Sequence, residues 1–291
     1  MTFERMGSVN VLVATDGSKY GRQALNWVAK LPFVEPPRVT VLHVLDLRAL
    51  RAPFLSQAGT ERYRWKEIQR REARSARTLN EAKRQLAALK LEGTVGKEQG
   101  AVAPVLLKRA PKRGGLLVVG SKGLDALDRF MLGSVSTKLI QHATCPVLVV
   151  KNEAVPLRRV ALAIDGSDAS AQALKFVLTK FQPDRSTGKS GRVPIHVSVI
   201  HVMQFSNYQL LKEARKLLKQ SVRELIQAGF TAEAVCQPGK PAEEIMKVAA
   251  NQHANLIVMG AQGLGAIARF LLGSVSTRVV QHSPCSVLVV R

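Results

Sequence analysis

The chain has 291 residues, beyond the usual reach of one domain, and 46% of them are hydrophobic, enough for packed cores and too many for a disordered chain. No stretch approaches the roughly 18 consecutive apolar residues of a membrane-spanning helix, Met1 to Asn10 lack a secretory signal's apolar segment, and three cysteines cannot make a disulfide framework, so a reducing compartment, most simply the cytoplasm, is expected. Lys and Arg number 43 against 21 Asp and Glu, and the resulting charge of +22 either attracts anions such as nucleotides, nucleic acid and acidic lipid, or is simply a solvated surface.

In chain order, Val9 to Ala14 reads as a short apolar strand. The turn Asp16-Gly17-Ser18 follows, and Asp16 or Ser18 is placed to cap a helix from Lys19 to Lys30. Val39 to Val44 is a second strand. Glu61 to Leu91 is a long charged helix, with Ile68, Leu79, Leu86 and Leu89 at helical intervals. Leu116 to Val119 is a strand ending at Gly120, Ser134 to His142 a helix, and Pro146 to Val150 a strand. The stretch Lys151 to Leu157, carrying Pro156, separates residues 1–151 from residues 157–291.

The second part repeats the first. VNVLVATDGS at 9–18 returns as RVALAIDGS at 159–167, and the segment 119–149 returns at 259–289 with its glycines, LGSVST core, Gln-His pair and cysteine. The second set of strands runs Val160 to Ile164, His196 to Val202, Ala232 to Val235, Leu256 to Met259 and Ser286 to Val290. The segment Pro183 to Arg192, unmatched in the first copy, reads as a surface loop. Apolar strands alternating with helices predict a parallel sheet covered on both faces, with ligands beyond the carboxyl ends of its strands.

The chemistry is expected there. Gly120-Ser121-Lys122-Gly123 is followed by nine residues and Gly133-Ser134; Gly260-Ala261-Gln262-Gly263 has the same sequel at Gly273-Ser274. Each loop starts at a strand end and finishes where a helix opens, with unpaired N–H groups and the positive end of the dipole, a site fit for a triphosphate. Hydroxyls of Ser134, Ser136, Ser274 and Ser276 are candidate extra donors. The plainer reading is that the glycines shape turns and the serines cap helices. Two copies with identical spacing favour a site. Neither a Walker loop nor the G-x-G-x-x-G dinucleotide fingerprint occurs.

In these residues the chain closely resembles the universal stress protein family in its tandem form. The likeness covers nearly all of both copies: V-x-x-D-G-S after the first strand, L-H-V ending the second, and G-x-x-G, nine residues, G-S before the last helix and strand. That glycine pattern resembles the ATP-binding branch. The resemblance implies two tandem open five-stranded parallel α/β sandwich domains, Rossmann-like and of the adenine-nucleotide-binding type, arranged as a pseudo-dimer with Val147 to Val150 against Val287 to Val290. A further homodimer is compatible with it. By position, Asp16 and Asp165 should meet the ribose side, and Val44 and Val202 should line the adenine slot. Gly120, Gly123, Gly133, Ser134, Val135 and Ser136, with Gly260, Gly263, Gly273, Ser274, Val275 and Ser276, should surround the phosphates. ATP, with Mg²⁺, is the expected ligand. The family usually carries an acidic residue shortly before the valines of the fourth strand; this chain has Gly-Gly in the first copy and Asn255 in the second. Pro104 and Pro111 also shorten a helix of the first copy, so the second is expected to bind at least as well.

Other candidates have plain readings beside sharp ones. His43 and His201 suit buried strand positions better than ligand roles. His142 with Cys145, and His282 with Cys285, lack a third metal ligand, and Cys236 has no counterpart. Arg129 and Arg269 either reach phosphates or are solvated; Lys122 lies near the phosphates, but its counterpart is Gln262. The run Arg62, Arg64, Lys66, Arg70, Arg71, Arg74 and Arg77, with Tyr63 and Trp65, is either an anion-binding helix or a solvated face paired with Glu61, Glu67, Glu72 and Glu81. The expected function is a stress-response regulator that responds to ATP with at most slow hydrolysis and no assigned catalytic residue. The alternative is a nucleotide-independent adaptor that binds nucleic acid or acidic lipid through the basic helix.

Overall fold

The computed structural model describes residues 8–51, 58–112, 114–123, 132–186, 192–203, 208–263 and 272–291. The first half runs β1 (Asn10–Ala14), α1 (Lys19–Lys30), β2 (Arg38–Leu45), α2 (Ala58–Ala88), β3 (Gly93–Gln99), α3 (Val102–Arg109), β4 (Leu116–Gly120), α4 (Ser134–His142) and β5 (Val147–Val150). The second runs β6 (Arg159–Ala163), α5 (Asp168–Lys180), β7 (Asp184–Ser186), β8 (Arg192–Pro194), β9 (His196–Met203), α6 (Tyr208–Gln227), β10 (Thr231–Pro238), α7 (Pro241–Asn251), β11 (Leu256–Gly260), α8 (Ser274–His282) and β12 (Ser286–Val290). Among the described residues no helix is long and apolar enough to cross a membrane.

Local chemistry accounts for the element boundaries. β4 and β11 are apolar and buried throughout, as strands covered on both faces must be. Ser18 accepts from the Gly21 amide at 3.1 Å, and Ser167 accepts from the Ser170 amide at 3.2 Å, so serine rather than aspartate caps each first helix. Asp16 and Asp165 instead accept the amides of Ser18 and Ser167, which tightens the turns. Pro104 falls in the first turn of α3, where a missing N–H costs nothing, yet α3 has only 8 residues against 11 in α7.

The last strands pair as expected, Val147 to Val149 against Val287 to Val289, and they join the halves into one sheet of ten strands in the order β10-β9-β6-β11-β12-β5-β4-β1-β2-β3. Two expectations need correction. β3 was not foreseen, because GTVGKEQ carries two glycines and two charges and lies on the sheet's edge. The expected loop at Pro183 to Arg192 includes β7 and leads into β8, and these pair antiparallel as a hairpin outside the main sheet.

All pairings in the large sheet are parallel except β5 with β12, where Leu148 faces Leu288, Val149 faces Val287, and Val147 faces Val289. Two apolar cores result, one per sheet face, and each runs across both halves. One packs α1, α2, α5 and α6; the other packs α3, α4, α7 and α8. On the first face Phe33 bridges Phe181, with ring centroids 6.1 Å apart and edge-on. On the other face the residues following β5 and β12 cap each other's helices. Lys151 donates through Nζ to the carbonyls of Gln281 and Ser283 at 2.9 and 3.1 Å, at the end of α8. Arg291 donates to the carbonyls of Ile140 and Gln141, at the end of α4. Cations at carboxyl ends of helices oppose the dipole favourably. Burial nevertheless pushes the Lys151 ammonium down to about 8. The connection between the halves is held too: the Trp27 indole donates to the Asn152 carbonyl at 3.0 Å, and Leu157 is buried.

The seam predicts a measurable coupling. Leu148 and Leu288 are register partners in one core, so each change to Ala should destabilise by about 2–5 kcal/mol. The double variant should fall short of the sum by about 0.5–3 kcal/mol in urea unfolding; strict additivity would show that the two halves do not pack through these side chains.

Candidate functional site

In the second half the carboxyl ends of β6, β9 and β11 meet the start of α8 and the wall of α6. They enclose a cavity of about 790 Å³, within the range of small-molecule sites. All eight site residues expected in this half line it: Asp165, Val202, Gly260, Gly263, Gly273, Ser274, Val275 and Ser276. One side is an apolar slot of Ile200, Val202, Leu210, Leu217, Ile245 and Met259. The other is polar backbone.

Two glycines make this convergence fit. A Cβ at Gly263 would lie 2.6 Å from Oδ2 of Asp165, so the glycine loop closes directly against the carboxylate of the first turn. A Cβ at Gly260 would strike the Ala169 carbonyl carbon at 2.6 Å, so Gly260 is needed for α5 to approach the strand end. The first half repeats both contacts, Gly123 with Asp16 and Gly120 with Tyr20.

The start of α8 is only partly available for an anion. The Gly273 amide donates to the Ala261 carbonyl at 2.8 Å and closes the loop on itself. The Ser276 hydroxyl, expected as an extra donor, is buried and donates to the Gly260 carbonyl at 2.9 Å. Gly133 and Ser136 do the same with Ser121 and Gly120. The amides of Ser274, Val275 and Ser276 have no acceptor among the described residues, nor does the exposed Ser274 hydroxyl; the same holds for Ser134, Val135 and Ser136. What the start of α8 can offer an anion is therefore a set of first-turn amides rather than a ring of hydroxyls.

The two halves differ in the helix that walls the cleft. α2 and α6 align in one register, with Leu86 on Leu225, Ser75 on Ala214 and Thr78 on Leu217. A Cβ at Gly17 would meet the Thr78 hydroxyl at 2.7 Å, whereas one at Gly166 would meet Leu217 only at 3.7 Å. In the first half the wall is thus tighter and polar, and the buried Ser75 hydroxyl has no hydrogen-bond partner among the described residues. It is also pinned across the end of β2: Arg71 donates to the Asp46 carbonyl at 2.9 Å, and Ile68 packs on Leu45, Leu47 and Leu50. Val44 is buried on the opposite face of the sheet, in the core shared with α3 and α4. The sequence carries no signal for these wall residues, because α2 and α6 share little besides charge; the structure aligns them through the positive φ that Lys90 and Gly229 share just after each helix.

The remaining candidates fall into structural roles. His43 and His201 bond through Nδ1 to the carbonyls of Thr15 and Ile164, both at 2.9 Å, linking neighbouring strand ends. To do so Nδ1 must carry the proton. Burial pushes the Cys145 thiol up to about 11 and Cys285 up to about 12, so both are inert thiols at neutral pH. Cys236 packs against the core on β10. Lys122 lies near enough to Lys151 to disfavour its charge. Asn255 accepts the amides of Arg158 and Arg159 at 2.9 and 3.0 Å, fastening the start of β6, and Gly115 stands at this place in the first half. Arg129 and Arg269 lie outside the described residues.

Comparison with known proteins agrees with this architecture. The model of the universal stress protein family matches residues 9–151 and again residues 156–291. A universal stress protein of Mycolicibacterium smegmatis is 28% identical, with 97% of this chain and 96% of that protein aligned. A universal stress protein of Bacillus subtilis, YxiE, is 32% identical over 46% of this chain and 98% of its own length. Among solved structures, a universal stress protein from Archaeoglobus fulgidus shares the fold at a TM-score of 0.69 and 21% identity, covering 97% of this chain and 96% of that one. With a match in each half, this chain belongs to the universal stress protein family, as a tandem of two of its domains.

Proposed function

We propose that the chain is a cytoplasmic, nucleotide-responsive regulator whose second half binds ATP. The observation that carries the reading is the second-half cavity, where an apolar slot ends on the unspent first-turn amides of α8. Adenine suits the slot beside Val202, the ribose hydroxyls suit the Asp165 carboxylate, and the phosphates suit Gly263 and the amides of Ser274, Val275 and Ser276. Mg²⁺ would enter on the phosphate oxygens, since no cluster of three metal-ligating side chains occurs among the described residues. The reading asks for binding and a change of shape or partner, with slow hydrolysis at most. The first-half cleft, walled by Ser75 and Thr78 and crossed by Arg71, is the weaker site in this proposal.

Titration calorimetry of nucleotide-free protein with ATP and Mg²⁺, with ADP and AMP as controls, is the direct test. A stoichiometry near one is expected. Two equal sites would refute the asymmetry, and no heat at millimolar ATP would refute the nucleotide reading.

Gly273→Asp gives a sharper check. Gly273 caps α8 with extended dihedrals, φ −65° and ψ 156°, which aspartate adopts readily. Its carboxylate would accept the amides meant for phosphate and repel the ligand. The expected result is ATP binding weakened more than 100-fold with melting temperature unchanged or raised. Retained binding would show that the phosphates do not sit on α8.

A further inference from the structure

We infer that the exposed face of α2 is a docking surface for single-stranded nucleic acid, separate from the nucleotide cleft. Arg62, Lys66, Arg70, Arg74 and Arg77 are all exposed and follow one another at intervals of four, four, four and three residues. Such a row occupies about a third of the helix circumference and runs for about 22 Å, with neighbouring charges about 6 Å apart along the axis.

The ion pairs of α2 leave this row largely unneutralised. Its carboxylates are taken by Arg64, Arg71, Arg84 and Lys97, and of the row only Arg70 has a carboxylate partner, Glu67, at 3.8 Å and on an 83% exposed side chain. Arg62, Lys66, Arg74 and Arg77 make no ion pair among the described residues. In a chain of net charge +22, four cations of one row without an ion pair among the described residues repel the fold from itself and fit an anionic polymer.

The form of the surface separates nucleic acid from membrane. A helix that lies in a lipid interface needs a free apolar face. The apolar face of α2 is already taken up by packing: half-buried Ile68 lies against Leu45, Leu47 and Leu50, and Ala82 and Leu86 are buried in the main core. What projects beside the cations is Tyr63 and Trp65, each 67% exposed, at the amino-terminal end of the row. Rings next to phosphate-binding arginines are a stacking platform for unpaired bases, and guanidinium grips phosphate in pairs of bonds.

The test is fluorescence anisotropy of the full chain with a labelled 20-nucleotide single-stranded RNA over a salt series. Five phosphate contacts predict a slope of about −3.5 in log K against log salt, or about 100-fold weaker binding between 50 and 200 mM. The variant R62Q/K66Q/R74Q/R77Q, whose changes are all at exposed sites and helix-compatible, should keep its circular dichroism, bind about 100-fold more weakly at 50 mM salt and lose about 3 from the slope. Trp65→Ala should weaken binding about 10-fold and abolish quenching of tryptophan emission, because the other tryptophan, Trp27, is buried. Gly273→Asp should bind RNA as the parent does, which separates this surface from the nucleotide site. No binding at 50 mM salt, an unchanged slope in the fourfold variant, duplex DNA bound more tightly than the single strand, or capture by phosphatidylserine vesicles that RNA does not displace would each overturn the inference.

Discussion

The antiparallel ladder between β5 and β12 is the constraint from which the rest of the molecule follows. Every other pairing in the large sheet is parallel, and so each half alone would end in an open edge of valines and leucines. Joining those edges merges both apolar cores and relates the halves by an approximate twofold. It also reverses one half against the other, so the carboxyl ends of the two sets of strands, and their clefts, point in opposite directions. The Phe33–Phe181 bridge and the reciprocal caps of Lys151 and Arg291 are consequences of the same relation, one on each face.

Within each half the site depends on a close approach rather than on reactive groups. Asp165 can face the glycine loop because Gly263 has no side chain, and the loop can end at the first turn of α8 because Gly273 closes it through its own amide. Cys145 and Cys285 are buried in the core and His43 and His201 are held in strand-end bonds, while His142 and His282 lie exposed. The two halves keep this backbone device and differ in the helix laid across it. Alanine and leucine leave room at Ala214 and Leu217, whereas Ser75 and Thr78, with Arg71 tied to Asp46, narrow the same place.

Much of this was legible in the sequence. The buried strands announce themselves as unbroken apolar runs, and the repeat marks Asp16 with Asp165 and each glycine with its partner before any geometry is known. The likeness to the family supplied the expectation that the last strands pair. β3 was hidden because edge strands need fewer apolar residues, and GTVGKEQ offers only one valine. The hairpin of β7 and β8 was hidden because three-residue strands carry too little alternation to register. Ser136 and Ser276 were misread as free donors because sequence places a hydroxyl near a helix start without saying which carbonyl it meets. The difference between the clefts was out of reach because it resides in Thr78 and Leu217, two helix positions whose neighbours are set by tertiary packing.

The reciprocal caps carry a consequence for synthesis. While the first half leaves the ribosome, β5 has no β12 beside it, and the carboxyl end of α4 awaits Arg291, which is translated about 150 residues later than Ile140 and Gln141, whose carbonyls it satisfies. The nascent first half therefore exposes a sticky apolar strand for the whole time the second is being made. Two neighbouring chains on one messenger would meet at that edge, so the covalent fusion of the halves serves to raise the local concentration of the correct strand above that of any competitor.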